Sequence, residues 1–315
     1  MEQALSVIEA VSRRESARRE LAALISRFVP VDGGYQTAIP ALSFHRYSAP
    51  VDFGCSVSRA AFVFAAQGAK QVTVAGQSYC YDHLHSLVTS VDLPMFSRVT
   101  EASADAPYLC LKLALDPRRI VELVAEMRLP DPDEVPAGEG IASGALSMPL
   151  FDAALRLVRL LDTPADIPIL APLVEKELLY RLMTSEQGAR LRHMAVTGSQ
   201  SYRIARAIEW IRDHYTEPLR VDTLAHAVNM SVSSLHHHFK NFTTLSPLQY
   251  QKQLRLHEAR GLLLRQSGDV GSIALRVGYD SPSQFSREYS RLFGAPPLRD
   301  AVQLRRQELF VSGGE

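Results

Sequence analysis

The chain repeats itself after about position 200, and this repeat restricts the possible folds more than any other feature of its sequence. Leu224-Ala225 returns as Ile273-Ala274 and Val228 as Val277, 49 positions on. Past the next turn the offset is 50: Ser231 returns as Ser281, Leu235 as Phe285, Phe239 as Tyr289, and Ser246-Pro247 as Pro296-Pro297. One additional turn residue in the second copy accounts for the change. A self-match at a fixed period marks a duplicated supersecondary unit.

Each copy reads as a short helix, a tight turn and a longer helix opened by serine. In the first, Val221, Leu224, Ala225 and Val228 recur at helical spacing, and Asn229 suits the left-handed conformation that ends a helix. Ser231 then caps a helix running to about Phe242, with Leu235, Phe239 and Phe242 on its inner face. In the second, Ser272 precedes a helix from Ile273 to Val277, and Gly278 supplies the turn. Ser281-Pro282 is an N-cap followed by proline at the first helical position, leading a helix with Phe285, Tyr289 and Leu292 inward. In a helix-turn-helix, the outer face of such a second helix lies in the major groove of DNA. Between the copies, Leu248 to about Gln266 reads as a helix with Leu254, Ala259, Leu262 and Leu263 for burial. At 1.5 Å per residue it spans roughly 28 Å, close to the ~34 Å between successive major-groove openings on one face of a duplex. A rod of that length suits two recognition helices held in adjacent grooves.

Charge follows the same division. Residues 200–315 hold 15 Lys+Arg against 11 Asp+Glu, a balance of +4, and six of the ten histidines; residues 1–199 hold 19 against 23, a balance of −4. The basic excess suits a polyanion partner. A chain of 315 residues, 46% hydrophobic and 22% charged, has room for two globular domains. Its longest apolar runs, such as Ala60 to Ala66, fall well short of the roughly 18 residues a membrane span needs, and Met1-Glu2-Gln3 is unlike a secretory signal, so a cytoplasmic location without membrane contact is expected. Cys55, Cys80 and Cys110 form neither a CxxC pair nor an even framework, which argues against a zinc or disulfide scaffold.

The segments Arg255-Leu256-His257-Glu258-Ala259-Arg260, Ile273-Ala274 through Val277-Gly278-Tyr279, Ser283-Gln284-Phe285-Ser286-Arg287-Glu288-Tyr289 and Phe293-Gly294-Ala295-Pro296-Pro297 together resemble the AraC/XylS family signature over roughly residues 202–300. That resemblance implies a seven-helix DNA-binding domain with two recognition helices, joined to a domain that senses a small molecule and dimerises, with RNA polymerase as a further partner. Gln67-Gly68-Ala69-Lys70, Ser90-Val91-Asp92-Leu93-Pro94 and Tyr108-Leu109-Cys110-Leu111-Lys112-Leu113 resemble one subgroup of the same family. Carried over by position, the resemblance puts base reading on Ser233, His236 and His237, with Ser231 and Lys240 nearer phosphates. In the second helix Ser283 and Arg287 take the reading positions, with Pro282 and Gln284 beside them. An arginine at Arg287 suits a bidentate guanine contact, and its competing role is a solvated side chain on an exposed face. Asn229 stands where a turn glycine is usual in the family, and histidines stand where Gln or Arg often do. His236-His237-His238 cannot converge on one ion, because consecutive helical residues point ~100° apart. Histidines facing DNA would make affinity rise as pH falls through their ordinary range near ~6.5.

Residues 1–28 form a charged, alanine-rich helix candidate, after which Ser43–Tyr47, Ala60–Ala66, Lys70–Ala75, Gln77–Tyr81, Ser86–Ser90 and Tyr108–Ala114 read as short strands of a cupin-like barrel or jelly roll. Asp116–Met127 returns to helix, Asp131–Ser143 is a Pro/Gly/acidic loop, and Leu150–Leu161 and Pro172–Thr184 are leucine-rich helices with apolar surface for either a homodimer interface or the parent barrel. His83-Leu84-His85 resembles the first metal motif of cupins but lacks the downstream glutamate, so no metal and no cofactor are expected. Tyr47, Tyr79, Tyr81, His83, His85 and Asp92 are candidates to line an effector pocket, or are plain core and rim residues. Arg14 and Arg18, flanked by Arg13 and Arg19, lie one helical turn apart, a spacing suited to a cyclic dinucleotide phosphate; a solvated face paired with Glu15 and Glu20 is the alternative.

The expected architecture is therefore α+β: a sensing and dimerising domain at 1–196 with a cupin-like barrel and flanking helices, a linker at 197–201, an all-α DNA-binding domain at 202–305 with helix-turn-helix units at 221–242 and 272–293, and a tail at 306–315. The expected function is sequence-specific transcription regulation on double-stranded DNA, without catalysis. The rival is a metal-dependent cupin-type enzyme with an appended helical domain.

Overall fold

The computed structural model describes residues 2–74, 76–127, 140–188, 191–192, 199–265 and 269–302. After helix α1 (Glu2–Phe28) the chain builds two antiparallel sheets. One has the order β1 (Gly33–Gln36), β2 (Leu42–Tyr47), β9 (Tyr108–Ala114), β4 (Ala61–Gln67), β7 (His85–Thr89), β10 (Ile141–Ala145), and the other β3 (Asp52–Ser58), β8 (Leu93–Glu101), β5 (Ala69–Val74), β6 (Gln77–Tyr81). This is the expected jelly-roll-like sandwich.

Alternation along β9 decides what each face of the larger sheet does. Leu109, Leu111 and Leu113 point to one side, where Phe44, Phe62 and Phe64 join them. That side packs on Leu21 and Ile25 of α1, Phe151 and Val158 of α3 (Met148–Arg159), and Leu178 and Leu182 of α4 (Ile167–Thr184). Tyr108, Cys110 and Lys112 point to the other side, across from the smaller sheet. Helix α2 (Pro117–Met127) closes one end through Ile120 and Leu123. On α4 the opposite face stays open, with Ile169, Leu170, Leu173 and Tyr180 exposed.

Four strands, β1, β3, β8 and β10, are additional to the expected ones. The Asp131–Ser143 segment is corrected at its end: residues 131–139 lie outside the described set, but Ile141–Ala145 is a strand paired with β7, Ile141 opposite Thr89. The linker expected at 197–201 is also corrected. Residues 197 and 198 lie outside the described set, Ser199 caps α5 (Gln200–Asp213) by accepting from the Tyr202 N–H at 3.0 Å, and Gln200 and Ser201 already belong to that helix. The tail at 306–315 falls outside the described residues.

The C-terminal part continues with α6 (Val221–Ala227), α7 (Val232–Thr243), α8 (Pro247–Arg265), α9 (Val270–Arg276) and α10 (Pro282–Phe293). The repeat read in the sequence recurs bond for bond. In the first turn Asn229 N–H donates to His226 O and Met230 N–H to Ala225 O; in the second Gly278 N–H donates to Leu275 O and Tyr279 N–H to Ala274 O. Both turn residues have positive φ, 53° and 89°. Ser231 and Ser281 cap their helices through the N–H of Ser234 and Gln284, and both helices end on a left-handed residue, Thr244 and Gly294. One expectation shifts: α9 begins at Val270, capped by Asp269 rather than led by Ser272, because the Asp269 carboxylate accepts from the Ser272 N–H at 3.0 Å. Helix α8 opens with a reciprocal box in which the Ser246 and Gln249 side chains each accept from the other's N–H.

Helix α8 divides its burial between two cores. Tyr250 and Leu254 join Ile204, Leu224, Leu235 and Phe239, while Leu256, Ala259 and Leu263 join Ile273, Phe285 and Tyr289. The first of these cores is continuous with the inside of the sandwich through Val91, Leu93 and Ile141.

Candidate nucleic-acid interface and ligand site

The two serine-led helices are fixed from within. Leu235 and Phe239 in α7, and Phe285 and Tyr289 in α10, are fully buried. With those positions inward, helical geometry turns positions 233, 237 and 240, and likewise 283, 284 and 287, outward. Ser231, Ser233, His237 and Lys240 are exposed, and His236 is half-buried. Pro282, Ser283, Gln284 and Arg287 are all exposed. Among the described residues the Lys240 ammonium and the Arg287 guanidinium have no ion pair or side-chain hydrogen bond. Gln284 is tied back at 3.3 Å to Glu288, and His237 faces the Asn241 amide at 3.1 Å. His238 turns away from this face: its Nδ1 is buried without a hydrogen-bond partner, and burial, then the neighbouring His237, lowers its pKa.

Beneath the second helix lies a polar brace that sequence reading did not assign. Burial raises the Glu288 carboxyl, but hydrogen bonds from Lys252, Tyr279 and Gln284 outweigh it and hold the carboxyl below its ordinary range. Arg255 donates to three backbone carbonyls, Tyr215 at 2.6 Å, Gly278 at 2.7 Å and Glu217 at 2.7 Å, so one side chain of α8 ties the α5–α6 loop to the second turn. Arg260 and the Tyr289 hydroxyl share the Asp300 carboxylate at 2.8 Å. These residues orient the outward face without belonging to it.

Of the expected effector residues, Tyr47, Tyr79 and Tyr81 pack into one core between the sheets. Tyr81 is buried between the sheets, its hydroxyl 2.9 Å from that of Tyr108, and Tyr47 packs edge-on to Phe53 at 4.9 Å. Tyr79, paired with Val72 on the same face as Tyr81, is half-buried against that core, and its hydroxyl donates to the Gln77 side-chain oxygen at 3.0 Å. His83 and His85 stand at the rim and not in an inner pocket: His83 lies in the β6–β7 turn with its carbonyl accepting from Arg14, and His85 opens β7, exposed with Nδ1 3.1 Å from Asp82. No group of three metal-ligating side chains forms among the described residues. Asp92 sits at the junction with the helical part: its carboxylate accepts from the Ala60 N–H at 3.1 Å and lies 3.6 Å from Arg212, and its carbonyl accepts from the Tyr250 hydroxyl at 2.9 Å. A cavity of about 340 Å³ opens there between Ser90–Asp92, Asp116–Arg118 and α5 residues Tyr202, Arg206 and Arg212.

Arg14 and Arg18 are engaged within the fold. Arg14 donates to the carbonyls of His83 and Leu146, and Arg18 grips Glu15 with two bonds of 2.7 Å and donates to Ala66 O. The pair anchors α1 to the sandwich.

Sequence reading also missed Lys70, Lys112 and His45. Strand register turns all three into the space between the sheets, beside Tyr81 and Tyr108. The alternation that would have found them is visible only once Tyr81 and Tyr108 are known to be inward.

Comparison with known proteins agrees with this division. Residues 38–190 match the family described as AraC-type transcriptional regulator N-terminus, and residues 224–300 match a helix-turn-helix domain family. HTH-type transcriptional regulator ArgR of Pseudomonas aeruginosa is 31% identical over 142 residues, 45% of this chain and 43% of that protein. HTH-type transcriptional activator RhaS of Escherichia coli is 35% identical over 98 residues, 31% of this chain and 35% of that protein. The chain thus matches less than half the length of these curated relatives. Among solved structures, an apo form of a ToxT point variant from Vibrio cholerae superposes with a TM-score of 0.55 at 10% identity, covering 86% of this chain and 97% of that one, a likeness of fold. A structure of wild-type ToxT with a bound unsaturated fatty acid superposes equally well, TM-score 0.55 at 10% identity over 86% of this chain and 94% of that one.

Proposed function

We infer that this chain, which belongs to the AraC/XylS family of regulators and carries an AraC-type N-terminal domain, is a sequence-specific DNA-binding transcription regulator. The observation that carries the reading is the pair of equivalent serine-capped helices, each anchored by two fully buried aromatic or aliphatic side chains to one end of the same connecting helix. Each leaves a short polar and basic face outward, Ser233, His237 and Lys240 in one and Ser283, Gln284 and Arg287 in the other. Helix α8 sets the separation, about 28 Å for its 19 residues, so both faces address one duplex about one helical turn apart. Arg287 reads a base edge, and Lys240 and the capping serines hold phosphate. The sandwich serves as the sensing part for a small-molecule effector, and the open apolar face of α4 pairs with a second copy; sedimentation that finds a concentration-independent monomer removes that pairing. RNA polymerase is the downstream partner. The metal-dependent enzyme reading has no support, since every named relative is a transcription regulator and His83 and His85 lack a third ligand among the described residues.

Selection of bound sequences from a random duplex pool tests this. Two short reading blocks about 10 bp apart are expected. Arg287→Ala should relax preference in one block only, at a discrimination of ~1–3 kcal/mol. Weakening that is uniform across all sequences would make Arg287 a phosphate contact, and a pool with no enriched sequence would remove the reading altogether.

A further inference from the structure

On the second recognition helix, one side chain of the outward face is held by another that lies beneath it. Gln284 is exposed, and its Nε2 donates to Glu288 Oε1, one helical turn on, at 3.3 Å. Lys252 Nζ of α8 donates to the same oxygen at 2.9 Å, and the Tyr279 hydroxyl donates to Oε2 at 2.8 Å. The carboxylate is held on both oxygens: its side chain is 16% exposed, and the Tyr279 ring is buried edge-on against Phe285, with the Arg255 guanidinium 5.9 Å from its centroid. The Lys252 ammonium offsets its charge, so Glu288 adds little repulsion to a face that meets DNA.

The chemistry of the carboxylate decides which way the Gln284 amide points. An ionised carboxylate only accepts, so the amide must turn its nitrogen toward it; turned the other way, its oxygen would face an oxygen. Burial raises the Glu288 carboxyl, but its three donors outweigh that and hold it ionised, while burial raises the Tyr279 hydroxyl, which stays protonated and donates. One amide N–H is thereby spent inside the protein, and an acceptor oxygen with one N–H remains for the groove. Adenine meets that pair with its N6–H donor and N7 acceptor, whereas guanine offers two acceptors, N7 and O6, and would set one of them against the amide oxygen. A glutamine free to rotate loses the distinction, since its NH2 can turn to guanine instead. The first unit has no such lock: Met230, Ser234 and His238 stand where Tyr279, Gln284 and Glu288 stand in the second.

We propose that Glu288 is a positioning residue for base specificity: it fixes the Gln284 amide, so that the second recognition helix selects adenine over guanine at the base Gln284 meets. The proposal rests on the reading of the chain as a DNA-binding regulator. It goes beyond the contact of Arg287, because here the base chosen is set by a side chain that does not touch DNA.

Selection from a random duplex pool is run on the full chain, on Gln284→Ala, on Glu288→Gln and on the two substitutions combined. Gln284→Ala identifies the base that Gln284 reads as the position where preference is lost, and adenine should stand there in the sequences selected by the unaltered chain. Glu288→Gln keeps the shape but can either accept or donate, which frees the amide to turn. Discrimination of adenine against guanine should then fall about tenfold at that one position, with the first block and the position relaxed by Arg287→Ala retained. Adding Glu288→Gln to Gln284→Ala should change no further preference, a result that a merely structural role for Glu288 would not give. A base other than adenine at the Gln284 position, no position lost in Gln284→Ala, an unchanged preference in Glu288→Gln, a further change in the combined variant, or an even loss over both blocks would each overturn the proposal. The base selected by the unaltered chain decides without any Glu288 variant, should that variant fold poorly. A pool with no enriched sequence removes the regulator reading as well, whereas enriched blocks without adenine at that position remove this inference alone.

Discussion

His257 sets its ring edge-on to Phe293 beside the second core, 5.1 Å between centroids, and its Nε2 is buried without a hydrogen-bond partner. Burial, then the Arg260 charge, lowers its pKa to about 4. The sign follows from linkage: the unfolded chain takes up a proton near ~6.5 and the folded chain only near 4, so the unfolded state binds more protons between those values. Stability is complete above pH ~6.5 and declines as pH falls through that window. His257→Phe should flatten that part of the acid arm by an order of 1–2 kcal/mol, read as a smaller difference in denaturation midpoint between pH 7 and pH 5. An unchanged difference would mean His257 is protonated or solvated in the fold. His45, lowered to about 3, acts in the same sense from inside the sandwich, so the arm should shrink without vanishing. Single residues of this kind were the least legible part of the sequence. Lys70, Lys112 and His45 sit in ordinary alternating strands, and which face of a strand turns inward depends on partners far along the chain, Tyr108 for Tyr81 and Ser58 for Lys112.

The two turns of the repeat permit a test at the scale of the element, because the same backbone geometry is met by different residues. Gly278 has φ 89°, and a Cβ there would fall on the Thr216 carbonyl oxygen and within 2.9 Å of the Arg255 guanidinium carbon. Gly278→Ala should therefore destabilise the second unit by more than the ~1 kcal/mol that left-handed backbone alone imposes, and it should displace the Arg255 brace. At the matching position, Asn229 adopts φ 53°, and Asn229→Gly should be neutral or stabilise by a few tenths of a kcal/mol. Opposite signs in parallel urea denaturations are the expected outcome; equal losses would mean the turns are not equivalent. Elements were legible where local chemistry sets them: α6, α7, α8 and α10 follow from serine caps, helical spacing and the turn residues. Strands β3 and β8 escaped because their pairing is broken by a register shift between Asp52 and Cys55 and Pro94 stands second in β8, and β10 because Ser143 and Gly144 give it no strand propensity of its own. Its pairing with β7 makes it a strand.

Across the whole molecule, the boundary of stability differs from the boundary of sequence. The charge division falls near residue 200, yet the first helix-turn-helix unit shares its core with the sandwich: Leu235, Phe239 and Phe242 belong with Val91, Leu93 and Ile141, and Gly140 N–H donates to Phe242 O at 3.3 Å. The second unit has a core of its own around Ile273, Phe285 and Tyr289. Sequence periodicity identified the two units as copies but carries no information about which neighbour each one leans on, since that depends on the exposed edge of a distant sheet. The asymmetry has a consequence for signalling. A change inside the sandwich reaches α7 through a shared apolar core, while α10 shares no such core with it and meets it at β3 and along α8. Leu93→Ala, which empties a fully buried position at that junction, should cost about 2–4 kcal/mol. Hydrogen exchange should then report faster opening of the sandwich and of α7 together, with the amides of α10 retaining their protection. If α7 and α10 lose protection equally, the helical part opens as one unit and the first recognition helix is no closer to the sensor than the second. If α7 alone responds, any molecule that stiffens the sandwich will act on DNA by fixing the first recognition helix against the sheet, with the second carried along by its rod.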